Sequence, residues 1–317
     1  MPKHTKGLLQ IPQGTEGIYL EEAYRHRRIV RTIEELFTGW GYLPAQVPIF
    51  DFFDTYRELL GEQGADTIYR LVDRDGDLLM LRSDITLFLA KQVGLALQAQ
   101  DLPLRICYAD SILRHQDRED ISRNEFFQVG AELIGRDGIR GDIEIIALLS
   151  EVLTLLDLPN AYIHLGSRKL LSLMTVGQEA SAVKQMAAMI EERDSDELGA
   201  AFGDGPLRDH AGILTDLFFF IGEPEGLDAM ADRLPDAGAV FVEIKSELRY
   251  LTKISSIVEK VYPQTSLRID LSEIGTQEYY TGVVFQAYAE GADRAIASGG
   301  RYDELLGHFG SACASVG

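Results

Sequence analysis

Two long apolar runs, LPLRICYADSILR at residues 102–114 and NEFFQVGAELIG at residues 124–135, flank an acid-rich bend. They read as a strand, a loop and a returning strand, and such neighbours pair antiparallel. Successive side chains of a strand face opposite ways. Gln128, Gly130 and Glu132 therefore share one face, and Phe127, Val129, Ala131 and Leu133 share the other. The apolar face is expected to be core. The opposite face carries two polar groups with a glycine between them, which leaves room for a ligand against the sheet. A solvated outer face is the alternative. Gly130 counts against it, because glycine inside a strand costs stability and marks close approach by another group.

The remaining pattern builds around this pair. Residues 21–40 place Ile29, Ile33, Leu36, Phe37 and Trp40 at helical spacing. Pro44 and Pro48 then enforce an extended segment suited to a sheet edge. Residues 68–86 read as a hairpin turning at Asp75-Gly76, and residues 85–97 and 141–156 as helices. From 167 to 261 the chain is rich in Ala, Leu and Glu, which predicts a mostly helical insertion. Strand character returns at SLRIDLSE and YYTGVVFQAYA. Alternation there puts Tyr280, Gly282 and Val284 on one face and Tyr279, Thr281 and Val283 on the other, although β-propensity alone also explains the composition. Grouped strands with helices on one side, rather than an alternating βαβ series, predict an α+β fold. There is no GxGxxG and no P-loop.

Bulk properties narrow the function. The 317 residues are enough for a sizeable core. A formal net charge of −20 disfavours nucleic acid as a partner, since phosphate backbones require a basic face. It favours solubility and partners with basic surfaces. Cys107 and Cys313 make neither a disulfide framework nor a zinc set, and fit a reducing cytoplasmic setting. No signal-peptide core or membrane-length apolar run is visible, so no membrane association is expected. His26, His115, His164 and His210 lack metal-ligand spacing, Cys107 reads as inert core, and Arg301 in GGRYD reads as a brace of the fold. No metal, cofactor or catalytic residue is expected.

The segments GYLPAQVPIF, YRLVDRDGDLLMLRSDIT, LRHQDREDISRNEFFQVGAELIG, EYYTGVVF and GGRYDELLGHFG occur in the order found in the catalytic domain of histidyl-tRNA synthetases. The resemblance covers nearly the whole chain. It implies a class II aminoacyl-tRNA synthetase fold, an antiparallel sheet flanked by helices with a helical insertion. The expected division is a synthetase-like core at 1–166, the insertion at 167–261 and the rest of the core at 262–317. The last motif looks incomplete at ASVG, and an anticodon-binding domain is not expected.

Several positions depart from the synthetase pattern. Arg114 matches the arginine that contacts ATP, so an anion or nucleotide contact is implied there. Gln116 replaces a glutamate, Ser122 and Asn124 stand at positions usually basic, and Gly275 stands where an arginine holds the histidine carboxylate. A triphosphate needs positive charge around it, yet the bend sets Asp117, Glu119 and Asp120 against Arg118 and Arg123. Adenylate formation is not expected. The histidine positions are better kept. The resemblance implies that Asp84, Thr86 and Gln128 hold the α-ammonium and that Glu132 and Tyr280 face the imidazole with Tyr279 beside them. Asp84 replaces the longer glutamate common in synthetases.

A kept amino-acid pocket beside altered ATP chemistry is similar to the family of ATP phosphoribosyltransferase regulatory subunits. That resemblance implies a partner, the short-form ATP phosphoribosyltransferase catalytic subunit, at the first step of histidine biosynthesis. It implies that the chain is required for that activity and takes part in feedback inhibition by L-histidine. A homodimer through the first motif, within a hetero-oligomer, is expected from GYLPAQVPIF and the helix before it. The alternative is a histidyl-tRNA synthetase or its catalytic fragment. A synthetase-like paralogue acting on another substrate would keep its ATP contacts and change its amino-acid pocket, the reverse of what is seen.

Overall fold

The computed structural model describes residues 14–96, 98–115, 124–204, 207–236, 238–310 and 312–317. Two compact units are distinguished, Met1–Glu132 with Leu305–Ala312, and Leu133–Glu304 with Cys313–Gly317.

The first unit opens with helix α1 (Leu20–Gly39), which buries Ile33 and Phe37 and leaves Ile29 exposed. It ends where Gly41 takes a left-handed φ of +86° and the Tyr42 amide donates to the Phe37 carbonyl. Strand β1 (Leu43–Pro44) follows. A three-stranded antiparallel sheet is then formed by β2 (Phe50–Phe52), β3 (Arg70–Val72) and β4 (Leu78–Leu81), with helix α2 (Arg57–Asp66) in the connection. The predicted hairpin is β3–β4. Its turn is closed by Asp73 Oδ1, which accepts from the Asp75 and Asp77 amides, and Gly76 supplies φ of +96°.

Helix α3 (Ile85–Ala96) lies in the core of this unit. Its first six residues are all buried. The segment from Leu305 returns to it because Gly94 has no side chain: a Cβ there would lie 3.1 Å from both the Leu306 carbonyl oxygen and Phe309 Cβ. Tyr56 stacks on Phe88 at 4.9 Å beside Phe309.

The two apolar runs form β5 (Leu104–Leu113) and β6 (Glu125–Ile134), adjacent in the order β1-β5-β6. The Arg114 amide donates to Asn124, while Tyr108 lies over Gly130 further in, so the strands run in opposite directions as expected. β1 pairs parallel with β5 at the edge, where Pro44 does not disrupt a ladder.

In the second unit, helix α4 (Gly138–Leu155) precedes β7 (Tyr162–Ser167). Next come helices α5 (Arg168–Met174), α6 (Ala180–Glu191), α7 (Ser195–Gly203) and α8 (Ala211–Phe218). Strand β8 (Ile221–Gly222), α9 (Glu225–Arg233) and α10 (Ala239–Val261) complete this mostly helical stretch. Then come β9 (Ser266–Asp270), β10 (Val283–Tyr288), β11 (Ala297–Gly300) and β12 (Ser315–Val316). The sheet order is β11-β10-β7-β9-β8, and β12 pairs with Leu133 and Ile134 at the end of β6.

The sheets are mainly antiparallel, with two parallel pairs that the strand pattern did not reveal, β1–β5 and β7–β9. Both have long connections, as parallel pairing requires. On one sheet face Ile163, Leu165, Leu267, Ile269, Phe285 and Ala287 are buried, and α10 packs against β7 and β9. The other face carries Tyr162, His164, Arg268, Asp270, Gln286 and Tyr288.

Two alternation readings need correction. Strand β10 begins only at Val283, so Tyr279 and Tyr280 sit in a turn closed by the Tyr280 amide on the Gln277 carbonyl. They do not occupy opposite strand faces. On β6 the presumed core residue Phe127 is 43% exposed, whereas Glu132 is 2% exposed. Among the described residues no helix is long and apolar enough to cross a membrane.

Candidate functional site

Five polar side chains, Asp84, Thr86, Tyr108, Gln128 and Glu132, converge on β5, β6 and the start of α3 in the first unit. Asp84 precedes α3 and caps it, its Oδ1 accepting from the Thr86 amide at 2.7 Å. The cap fixes Thr86 in the first turn, where its hydroxyl donates to Glu132 Oε1 at 2.6 Å. Tyr108 donates to the same oxygen at 3.0 Å and lies 3.3 Å from the Thr86 hydroxyl. Gln128 Nε2 donates to the Tyr108 hydroxyl at 3.4 Å. The Gln128 carbonyl oxygen is buried and has no hydrogen-bond partner among the described residues. Asp84, Thr86, Tyr108 and Glu132 are all buried.

Sequence reasoning missed Tyr108. The space expected beside Gly130 belongs to its ring, since a Cβ at 130 would lie 2.4 Å from Tyr108 Cζ and Oη. The glycine does mark a close approach, but by a neighbouring side chain. Burial, followed by the negative charges of Glu132 and Asp84, pushes the Tyr108 phenol well above its ordinary range, so it remains a donor. The signal that could have found it is strand register: pairing Arg114 with Asn124 sets Tyr108 opposite Gly130.

Arg114 is half-buried and donates from Nε and Nη2 to the Ser83 carbonyl, at 3.2 and 2.8 Å. The guanidinium braces the turn that presents Asp84. The acidic bend, Gln116, Asp117, Arg118, Glu119, Asp120, Ser122 and Arg123, lies outside the described residues.

In the second unit the Tyr279 and Tyr280 rings pack edge to face at 5.2 Å, and Tyr302 meets Tyr279 at 5.9 Å. Gly275 has φ of +78°, and a Cβ there would lie 2.5 Å from Tyr280 Cδ2. The backbone at Gly275 is therefore packed for a residue with no side chain. Arg301 is a brace, as expected. Its Nε donates to Asp142 Oδ1 at 2.8 Å, Nη1 to Asp303 Oδ1 at 2.9 Å and Nη2 to the Gly138 carbonyl at 3.2 Å.

Three histidines pack locally, His26 on Phe127, His115 on Tyr69 and His210 on Phe241. His164 differs: the fold, not sequence spacing, sets it beside Asp270 and Glu273. Cys107 is buried, and burial, then Glu34, raises its thiol pKa, which keeps it unreactive.

The family described as Histidyl-tRNA synthetase matches residues 14–317. The chain is 31% identical over 316 residues to the ATP phosphoribosyltransferase regulatory subunit of Moorella thermoacetica, covering 98% of this chain and 79% of that one. The protein of the same name from Saccharophagus degradans is 32% identical, covering 97% and 78%. A Bacillus halodurans structure described as an ATP phosphoribosyltransferase regulatory subunit/histidyl-tRNA synthetase superposes with TM-score 0.83 at 25% identity, over 98% of this chain and 80% of that chain. The histidyl-tRNA synthetase of Nostoc sp. PCC 7120, at 20% identity and TM-score 0.76 over 97% and 72%, shares the fold. With its α+β, class II synthetase-like fold, the chain belongs to the histidyl-tRNA synthetase-like family of ATP phosphoribosyltransferase regulatory subunits, whose role in histidine biosynthesis is regulatory and not catalytic.

Proposed function

We propose that this chain assembles with a short-form ATP phosphoribosyltransferase catalytic subunit, is required for its activity, and confers inhibition by L-histidine bound at the Asp84, Thr86, Gln128 and Glu132 cluster. The observation that carries the histidine assignment is the buried Gln128 carbonyl, which has no partner among the described residues and lies next to a buried carboxylate. Buried polar atoms are ordinarily satisfied, and an α-ammonium supplies the donor that this carbonyl lacks. A carboxylate offers about four lone-pair sites, so Glu132 can accept an imidazole N–H alongside the Thr86 and Tyr108 hydroxyls. Tyr108 keeps Glu132 and Gln128 in register for that contact.

The replaced arginine at Gly275 favours binding over adenylate chemistry, because the bidentate partner of the amino-acid carboxylate is missing. The remaining expectations are tested separately. Tyr280→Phe reports on the tyrosine assignment, and phosphate titration of Arg114→Ala on the anion contact. Exposed Tyr19, Leu20, Tyr24, Leu43, Ile49 and Phe50 in the first unit support a homodimer formed through the first motif.

Histidine inhibits in this scheme by binding two states of the assembly with different affinity, a coupling of about 1–3 kcal/mol that must be reciprocal. The test is reconstitution. Adding the chain to a short-form catalytic subunit should switch on ATP phosphoribosylation, and histidine should suppress it. Robust histidine-dependent ATP–pyrophosphate exchange by this chain alone would overturn the proposal in favour of a synthetase.

A further inference from the structure

The polar face of the second unit's sheet carries a cluster that the proposed function does not use. Gly166 on β7 is what allows it. A Cβ at 166 would lie 2.0 Å from the Glu273 carbonyl oxygen and 2.8 Å from that of Asp270, so only glycine lets the 270–273 turn lie across the strand. The turn returns Glu273 to His164, and one ligand atom from each of His164, Asp270 and Glu273 falls within 4.8 Å of the others. His164 Nδ1 stands 3.5 Å from Asp270 Oδ2. Nδ1 is buried and makes no hydrogen bond among the described residues.

We propose that His164, Asp270 and Glu273 form a binding site for a divalent transition-metal ion of the zinc type, with Arg193 competing for the Asp270 oxygen. Zinc bonds of about 2.0–2.2 Å to nitrogen and oxygen set neighbouring ligands roughly 3.4 Å apart in a tetrahedron. The His164–Asp270 edge already has this spacing, and Glu273 closes the third corner by a small side-chain movement. Three protein ligands leave a fourth position for water.

The surroundings are those of a ligand shell. Glu273 Oε1 accepts from Tyr288 at 3.0 Å and Oε2 from Gln286 at 2.6 Å, which orients the carboxylate. Asp270 Oδ1 accepts from the Ser272 amide and hydroxyl, which leaves Oδ2 facing His164. Tyr162 and Tyr288 hold the His164 ring, with centroids at 5.1 and 5.3 Å. Arg193 Nη2 bonds Asp270 Oδ2 at 2.6 Å. Its side chain is 43% exposed and can turn into solvent. Metal binding is thus an exchange of Arg193 for the ion, which leaves two carboxylates against two positive charges.

The test is calorimetric titration of the whole chain, stripped with chelator, with Zn2+ alone, and with Co2+ for its absorption in a tetrahedral site. One ion per chain is expected. Glu273→Gln, which retains an acceptor for Tyr288, and His164→Ala should each weaken binding at least about tenfold, and Arg193→Ala should tighten it by a similar factor. Equal affinity in wild type, His164→Ala and Glu273→Gln would overturn the site as adventitious binding. So would no binding by wild type and Arg193→Ala alike. Should His164→Ala not fold, the Glu273→Gln and Arg193→Ala comparison decides.

Discussion

Two buried polar clusters, one in each unit, are built differently. Around Arg301 the network is closed. Its guanidinium donates to Asp142, Asp303 and backbone carbonyls, and Tyr250 donates to the second Asp142 oxygen at 2.6 Å. Around Gln128 the network is open. Two hydroxyls converge on Glu132 Oε1, and the Gln128 carbonyl beside them has no partner among the described residues. A closed network fixes a fold, whereas an open one keeps a direction in which a ligand can complete it. The difference lies in the clusters, because the first unit has a closed one as well: Asp51 takes both of its oxygens to Lys91, at 2.7 and 2.8 Å, and also accepts from Tyr56.

Breaking the closed brace should cost most. Arg301→Ala strands Asp142, which is fully buried, and should destabilise the chain by about 3–5 kcal/mol in urea unfolding. A loss below about 1 kcal/mol, the range of exposed pairs, would mean that the brace is incidental. Next in size is Gly130→Ala. The added methyl meets a Tyr108 ring held by its own hydrogen bonds, and overpacking of this kind costs about 1–3 kcal/mol. Unchanged stability would show that Tyr108 is free to move, and with it the geometry of Glu132.

The smallest effect sharpens the contrast through pH. Burial alone would raise the Asp51 carboxyl pKa, but hydrogen bonds from Lys91, the Phe52 amide and Tyr56 outweigh it and hold the pKa below its ordinary value. A depressed folded pKa contributes stability that is present above the unfolded value and lost as pH falls through the folded one, here below roughly pH 4. Asp51→Asn should cost about 1 kcal/mol at neutral pH and flatten the acid limb of the stability curve. An acid limb identical to wild type would remove Asp51 from the account.

Much of the fold was legible because its elements carry local signals. α1 presents an apolar stripe that buries Ile33 and Phe37, Asp75-Gly76 marks the turn of the β3–β4 hairpin, and two long apolar runs mark β5 and β6. Legibility failed where both faces are covered. β10 has Val283, Val284 and Phe285 all buried, so alternation could not locate the strand's start, and Tyr279 and Tyr280 were misplaced. The parallel pairs depend on where a long connection sets the chain down, which no local pattern encodes. In the candidate site, Gln128 and Glu132 follow from period-two spacing. Tyr108 becomes visible only once the register of two strands is known, and His164, Asp270 and Glu273 meet only through a turn that Gly166 admits.

The central claim is that the open cluster binds histidine, and calorimetry on Glu132→Gln tests it most directly. The amide retains an acceptor for Thr86 and Tyr108 but loses the charge that receives an imidazole N–H. Wild type should bind L-histidine, and the variant should bind it weaker by about 1.5–3 kcal/mol, roughly 10- to 150-fold. Equal affinity in the two proteins, or no binding by a folded wild type, would contradict the account.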